Sequence, residues 1–187
     1  MTNRDWQMRM RLCLIEICLL LGALVACNDI NIESPLVEAT ATPKVLSQWA
    51  VTAQASSQYG FPNWSAGRAT GAPDVQGCVD DPRAWASARG NGLEWLELTY
   101  AEPVYVTKVR IYQTLGRGAI SRVLLVDREG LPQMVWEEGD RREPCPGVLE
   151  VEIPRTPYRV IGVKVELDES RTGFWNEIDA VELIGVP

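Results

Sequence analysis

Histidine is absent from the sequence. Its absence removes the commonest general base and the commonest transition-metal ligand together. A Ser-His-Asp triad, a Cys-His pair and any His-containing zinc site are therefore excluded. Positive charge is scarce as well: 18 Lys and Arg stand against 25 Asp and Glu, a formal net charge of −7. A nucleic-acid footprint calls for a basic patch, so no nucleic-acid partner is expected. After residue 49 no amphipathic helix of ordinary length can be traced, and there is no internal repeat. Paired-carboxylate chemistry has little support, because Glu137, Glu138 and Asp140 are near-adjacent acids in a polar turn. We expect no enzyme.

What is present begins at the N-terminus. Arg4, Arg9 and Arg11 flank or precede an apolar run, Leu12 to Ala26, too short to span a bilayer comfortably. A basic start, a short apolar stretch and a small-residue end make a secretory signal. Its last residues, Leu24-Val25-Ala26-Cys27, resemble the lipobox of bacterial lipoproteins. That resemblance implies acylation of Cys27, and so a membrane-anchored, extracytoplasmic protein at the cell surface or in the periplasm. Residues 28–48 are rich in Ser, Thr, Pro and Ala and read as a tether. The expected organisation is a signal peptide over 1–26, lipidated Cys27 with a flexible tether over 27–48, and a folded domain over 49–187. Export also simplifies the cysteines. Cys13 and Cys18 leave with the signal and Cys27 carries lipid, which leaves Cys78 and Cys145 to form a disulfide in an oxidising compartment.

The stretch from Ala53 to Ser87 organises the folded part. It holds Gly60, Gly67, Gly71 and Gly77, prolines at 62, 73 and 82, and four aromatics, Tyr59, Phe61, Trp64 and Trp85. Glycine and proline at this density mark a loop, and the aromatics argue against disorder. Beyond it the pattern alternates. Leu96, Leu98 and Tyr100 share one face of a strand; Val104 and Val106 share one parity while Val109 and Ile111 share the other. That phase change predicts a β-bulge near Thr107. Leu149, Val151 and Ile153 alternate with acids, and Ile161, Val163, Val165 and Leu167 form a second clear half-buried strand. Recurrent strands with turns between them predict an all-β sandwich.

In order along the chain, ASSQYG, NWSAGRATGAPD, AWAS, EWLELTYAEPVYVTKVRIYQT and FWNEIDAVELIG resemble the discoidin, or coagulation factor 5/8 C-type, modules. The resemblance implies a jelly-roll β-sandwich of the galactose-binding-domain-like kind. It further implies non-catalytic binding, through loops at one end, of carbohydrate or a cell-envelope component, or alternatively of a protein partner. Family members often carry a structural Ca2+. The matching positions here are Asp74 and Glu177 with backbone oxygens near Ala69 and Gly71, in a loop reading Ala-Pro-Asp. Asp74 capping a turn and Glu177 pairing with an arginine is the other reading of those residues. For the ligand, Tyr59, Phe61 and Trp64 offer rings to stack on sugar faces and Arg68 offers donors; the same rings also suit a loop packed on itself. Arg117 and Arg171 lie in loops within reach of a ligand. Trp85, Trp95 and Trp175 sit beside alternating strand residues and read as core, and Asp80 with Asp81 reads as a solvated turn.

Overall fold

Alternating apolar and polar residues give extended chain, and nine strands follow. The computed structural model describes residues 44–137 and 144–187. The strands are β1 (Leu46–Trp49), β2 (Thr52–Ala55), β3 (Trp85–Ala86), β4 (Leu93–Leu115), β5 (Ile120–Asp127), β6 (Pro132–Glu137), β7 (Gly147–Glu152), β8 (Val160–Asp168) and β9 (Glu177–Val186). Two short 3-10 turns, Ala66–Ala69 and Glu169–Arg171, interrupt the loops.

The 23-residue β4 serves both leaves of the sandwich. Its first part, Leu93–Thr99, pairs antiparallel with β2 on one side and β8 on the other. From Tyr105 it pairs with β9 and β7 instead. The changeover falls across Ala101-Glu102-Pro103, where the ladder to β8 slips register and proline has no amide to donate. One leaf is therefore β2-β4-β8-β5-β6. The other is β7-β4-β9-β1, with β3 pairing on β9. This is the all-β sandwich that the strand pattern predicts and the jelly roll that the resemblance implies.

The bulge near Thr107 is also found. Val106 faces Gly185 and Lys108 faces Ile184, so Thr107 is the extra residue. Val104, Val106, Val109 and Ile111 are all fully buried as a result, despite their change of parity. They meet Leu96, Leu98, Leu125, Val163, Val165 and Leu167 from the opposite leaf in one core. Each such side chain contributes about 1.5–3 kcal/mol by leaving water.

Two strand expectations need correction. In β8 the inward residue is Val160, while Ile161 is only half-buried. Gly162 explains the phase change: a Cβ there would stand 3.0 Å from the Leu98 carbonyl and 3.3 Å from the Val126 side chain. At the N-terminal edge, Leu46–Gln48 do not behave as tether but pair with β9, with Leu46 against the core. The Ser47 hydroxyl donates to Glu182 there. The signal segment, Cys27 and most of the tether lie outside the described residues. Cys78 and Cys145 form the expected disulfide, 67 residues apart in sequence with Cα atoms 5.2 Å apart. It ties the long first loop to the chain entering β7.

Candidate functional site

A loop of nearly thirty residues must find partners for its backbone amides. Here β9 supplies them. Residues two apart on a strand share a face, and Glu177 and Asp179 use that spacing to hold the loop from below. Asp179 Oδ1 accepts from the Asp74 amide (3.4 Å) and Oδ2 from the Val75 amide (3.1 Å). Glu177 Oε2 accepts from the Asp81 amide (3.2 Å) and the Thr114 hydroxyl (3.1 Å). Arg83 closes the turn by donating to the Asp74 carbonyl (2.9 Å) and the Asp81 carboxylate (2.7 Å). That guanidinium holds Asp81 below the usual carboxylate range.

With the loop pinned, three segments meet at one end of the sandwich around a cavity of about 110 Å³. Its walls are Tyr59, Trp64 and Asp80 from the first loop, Ala86 of β3, and Leu115 at the end of β4. Phe174 and Trp175 of the β8–β9 loop and Glu177 complete it. Trp64 has φ +52, a left-handed conformation uncommon outside glycine. Its amide donates to the Pro82 carbonyl (3.0 Å), its carbonyl accepts from Ala86, and its indole donates to Asp80 Oδ1 (3.0 Å). Tyr59 stands edge-on to Trp64 at 5.3 Å and to Trp175 at 6.0 Å, and Phe174 edge-on to Trp175 at 5.6 Å. Tyr59 and Phe174, at the rim, are half exposed.

The floor below is polar and closed. The Trp175 indole donates to the Ser87 carbonyl (3.1 Å), and the Asn176 amide donates to the buried Glu169 carboxylate (3.3 Å). The Asn176 side chain donates to Gln113 Oε1 (2.9 Å) and the Gly116 carbonyl (3.0 Å). Gly116, at φ +60, admits this packing, since a Cβ would lie 1.8 Å from the Trp175 carbonyl oxygen. Burial pushes Glu169 up to about 7. Glu177 is likewise pushed up to about 7, first by burial and also by the Asp80 carboxyl within hydrogen-bonding reach of it. The site thus offers ring faces and carboxylate acceptors, and among the described residues no Lys or Arg lines it.

Of the residues expected at a ligand site, Tyr59 and Trp64 line the cavity. Phe61, from the same loop, is 84% exposed and is not among the lining residues. Arg68 braces its own loop by donating to the Pro62 carbonyl (3.0 Å) and Asn63 Oδ1 (3.4 Å). Arg117 donates to the Pro144 carbonyl (2.7 Å), and Arg171 pairs with Asp168 at 3.6 Å. Neither lines the cavity. Trp175 and Trp95 are corrections: Trp175 forms a wall of the site and Trp95 is half-buried under Lys164 at 4.7 Å, and of the three only Trp85 is core. Asp80, read as a solvated turn, and Phe174, not singled out at all, complete the wall. The doublet Phe174-Trp175 lies in a bend outside the strands, so no alternation marked it, although its two rings contact each other and line one cavity.

The residues expected to hold Ca2+ are brought together only in part. Calcium takes six to eight oxygens, and Asp74 is exposed with its backbone against Asp179, while Glu177 Oε2 faces Asp81 and Thr114. Ala69 is fully buried, and the Gly71 amide donates to the Ala50 carbonyl. Among the described residues no group of three or more acidic or cysteine side chains gathers as a metal cluster.

Comparison with solved structures shows the same fold at low identity. Chitosan-binding module 1 of a chitosanase/glucanase from Paenibacillus sp. IK-5 matches with a TM-score of 0.53 and 20% identity, over 71% of this chain and 92% of that one. The family 32 carbohydrate-binding module of NanJ from C. perfringens, solved with galactose, matches with a TM-score of 0.53 and 16% identity, over 74% and 99%. The lectin domain of lectinolysin, solved with Lewis B antigen, gives 0.52 and 19%, over 73% and 93%. All share the galactose-binding-like sandwich. No curated protein matches. The model of one family, described as PAPPA, pappalysin-1 SD scarf domain, C-terminal, matches residues 38–187. That span takes in every strand and every wall of the cavity, and the chain belongs to this family of SD scarf C-terminal domains.

Proposed function

We propose that this domain is a non-catalytic glycan-binding module and that the cavity walled by Tyr59, Trp64, Phe174 and Trp175 is its binding site. The observation that carries the reading is the convergence of four rings and two carboxylates from separate loops at one end of a sandwich. Rings meet the apolar C–H faces of a sugar, while acceptors beside them fix hydroxyl groups, the usual mix of a small-molecule site. Fold neighbours solved with galactose or Lewis B antigen, or named for binding chitosan, support the same reading. A glycan array probed with the full chain tests it. Binding that Trp64→Ala abolishes at unchanged melting temperature is the expected result, and a blank array overturns it.

The same proposal places the module on a lipid tether outside the cytoplasm, supported by Leu24-Val25-Ala26-Cys27. Two or more acyl chains are needed for stable anchoring, and mass spectrometry of the N-terminal peptide checks for them on Cys27. A structural Ca2+ at Asp74 and the carbonyls of Ala69 and Gly71, with Glu177, is a separate proposal supported by the loop's resemblance alone. A melting temperature that rises with calcium and falls with chelator supports it; an unmoved one rejects it.

A further inference from the structure

We propose that the sugar this pocket takes is cationic, and that its ammonium group sits among the rings of Tyr59, Trp64 and Trp175 beside the carboxylates of Asp80 and Glu177. This rests on the glycan-binding reading and adds the charge of the ligand.

Three observations lead there. First, the charge of the pocket is of one sign. Asp80 and Glu177 both line it, their carboxyls lie within reach of each other, and among the described residues no Lys or Arg lines it. Arg83, the guanidinium nearest in sequence, is engaged with Asp81 and the Asp74 carbonyl. Two like charges in a partly desolvated site disfavour each other until a cation or a proton comes between them. Second, the walls suit that cation. The faces of Trp and Tyr rings attract an ammonium group within about 6 Å of the ring centre, the more strongly when it is desolvated. Tyr59 makes T-shaped contacts with both Trp64 and Trp175, so neither pair is stacked face to face and each contact covers one face of one ring only. Third, the hydrogen-bonding groups are complementary. The Asp80 carboxylate only accepts, and the Trp64 indole N–H, a donor at the wall, is already bonded to it at 3.0 Å. The pocket therefore asks its ligand for donors. An ammonium brings three, whereas a uronic or sialic carboxylate brings none and would meet Asp80 as a like charge.

The experiment is a calorimetric titration of the detergent-solubilised full chain at pH 6 with three matched trisaccharides: β-1,4-linked glucosamine, its N-acetylated form and neutral cellotriose. Tetramethylammonium chloride is the fourth probe. The expected result is that the glucosamine trimer binds at least about tenfold more tightly than either uncharged trimer, and more tightly than tetramethylammonium. Asp80→Asn should collapse that preference to about one with the melting temperature retained. If that variant does not fold, the comparison of ligands on the natural chain still decides. Equal or tighter binding of the uncharged trimers overturns the charge inference and leaves glycan binding standing. Tetramethylammonium binding as tightly as the amino trimer overturns the sugar part. No binding of any sugar overturns both readings.

Discussion

Glu169 lies wholly buried under the pocket floor, and the Ser87 hydroxyl is within bonding distance of both its Oε2 (2.7 Å) and the Arg89 carbonyl (2.9 Å). One proton cannot serve both acceptors. A protonated Glu169 resolves this by donating to Ser87, whose own proton then goes to Arg89. The pKa of Glu169, pushed from 4.5 to about 7 by burial, has that consequence for stability. Between those values the folded chain binds more protons than the unfolded one, so stability is greatest on the acid side and falls as pH rises through the window. Glu177, raised to about 7 likewise, acts in the same direction. Glu169→Gln keeps the shape and supplies the donor permanently. Thermal melts at pH 5.5 and 8 should show a fall of roughly 5 °C in the natural chain and a smaller fall in the variant. An equal fall in both would remove Glu169 as a source. None of this was visible in the sequence, where Glu169 is one acid in DESRTG. Its burial depends on how the β8–β9 loop folds back, which no local pattern records. For the same reason Trp175 and Trp85 looked alike as residues beside strands, although one walls the cavity and the other fills the core.

At the scale of elements, the alternating strands were legible because a half-buried strand writes its two faces into every second residue. The bulge at Thr107 was legible too, since a parity change inside one apolar run has few other causes. What stayed hidden was the double role of β4 and the two-residue β3, whose Trp85 and Ala86 are too few to show a period. The β4–β5 turn illustrates how elements place the site. Gly116 stands against the Trp175 backbone with no room for a methyl group, at a φ of +60 that itself disfavours a side chain. Gly116→Ala should cost about 2 kcal/mol or more and shift Trp175 from the cavity wall. Denaturant melts read the first effect and near-UV circular dichroism of the tryptophans the second. A variant with natural stability and spectrum would mean that the loop does not depend on this close approach.

For the whole molecule, the sandwich is a frame that brings distant loops to one end, and the disulfide is a covalent restraint on the site. Cys78 is two residues from Asp80, and its bond to Cys145 closes a separation of 67 residues. Restricting the unfolded chain by a loop of that length contributes about 4 kcal/mol in the chain-entropy model. Cys78→Ser with Cys145→Ser should therefore lower the melting temperature by roughly 10 °C, and an unchanged one would show that the strands alone set stability. The pairing could be counted from the sequence once Cys13, Cys18 and Cys27 were assigned to the expected signal segment and lipid anchor. Which loops share an end could not, since Trp64 and the segment Trp175 to Glu177 are far apart in sequence and meet only when the sandwich closes. That closure is what the functional account depends on. Calorimetric titration of the strongest glycan from the array into the full chain and into Trp175→Ala tests it most directly. The account predicts binding at least about tenfold weaker in the variant, a loss of 1.4 kcal/mol or more, at an unchanged fold. Equal affinity in the two proteins would contradict it.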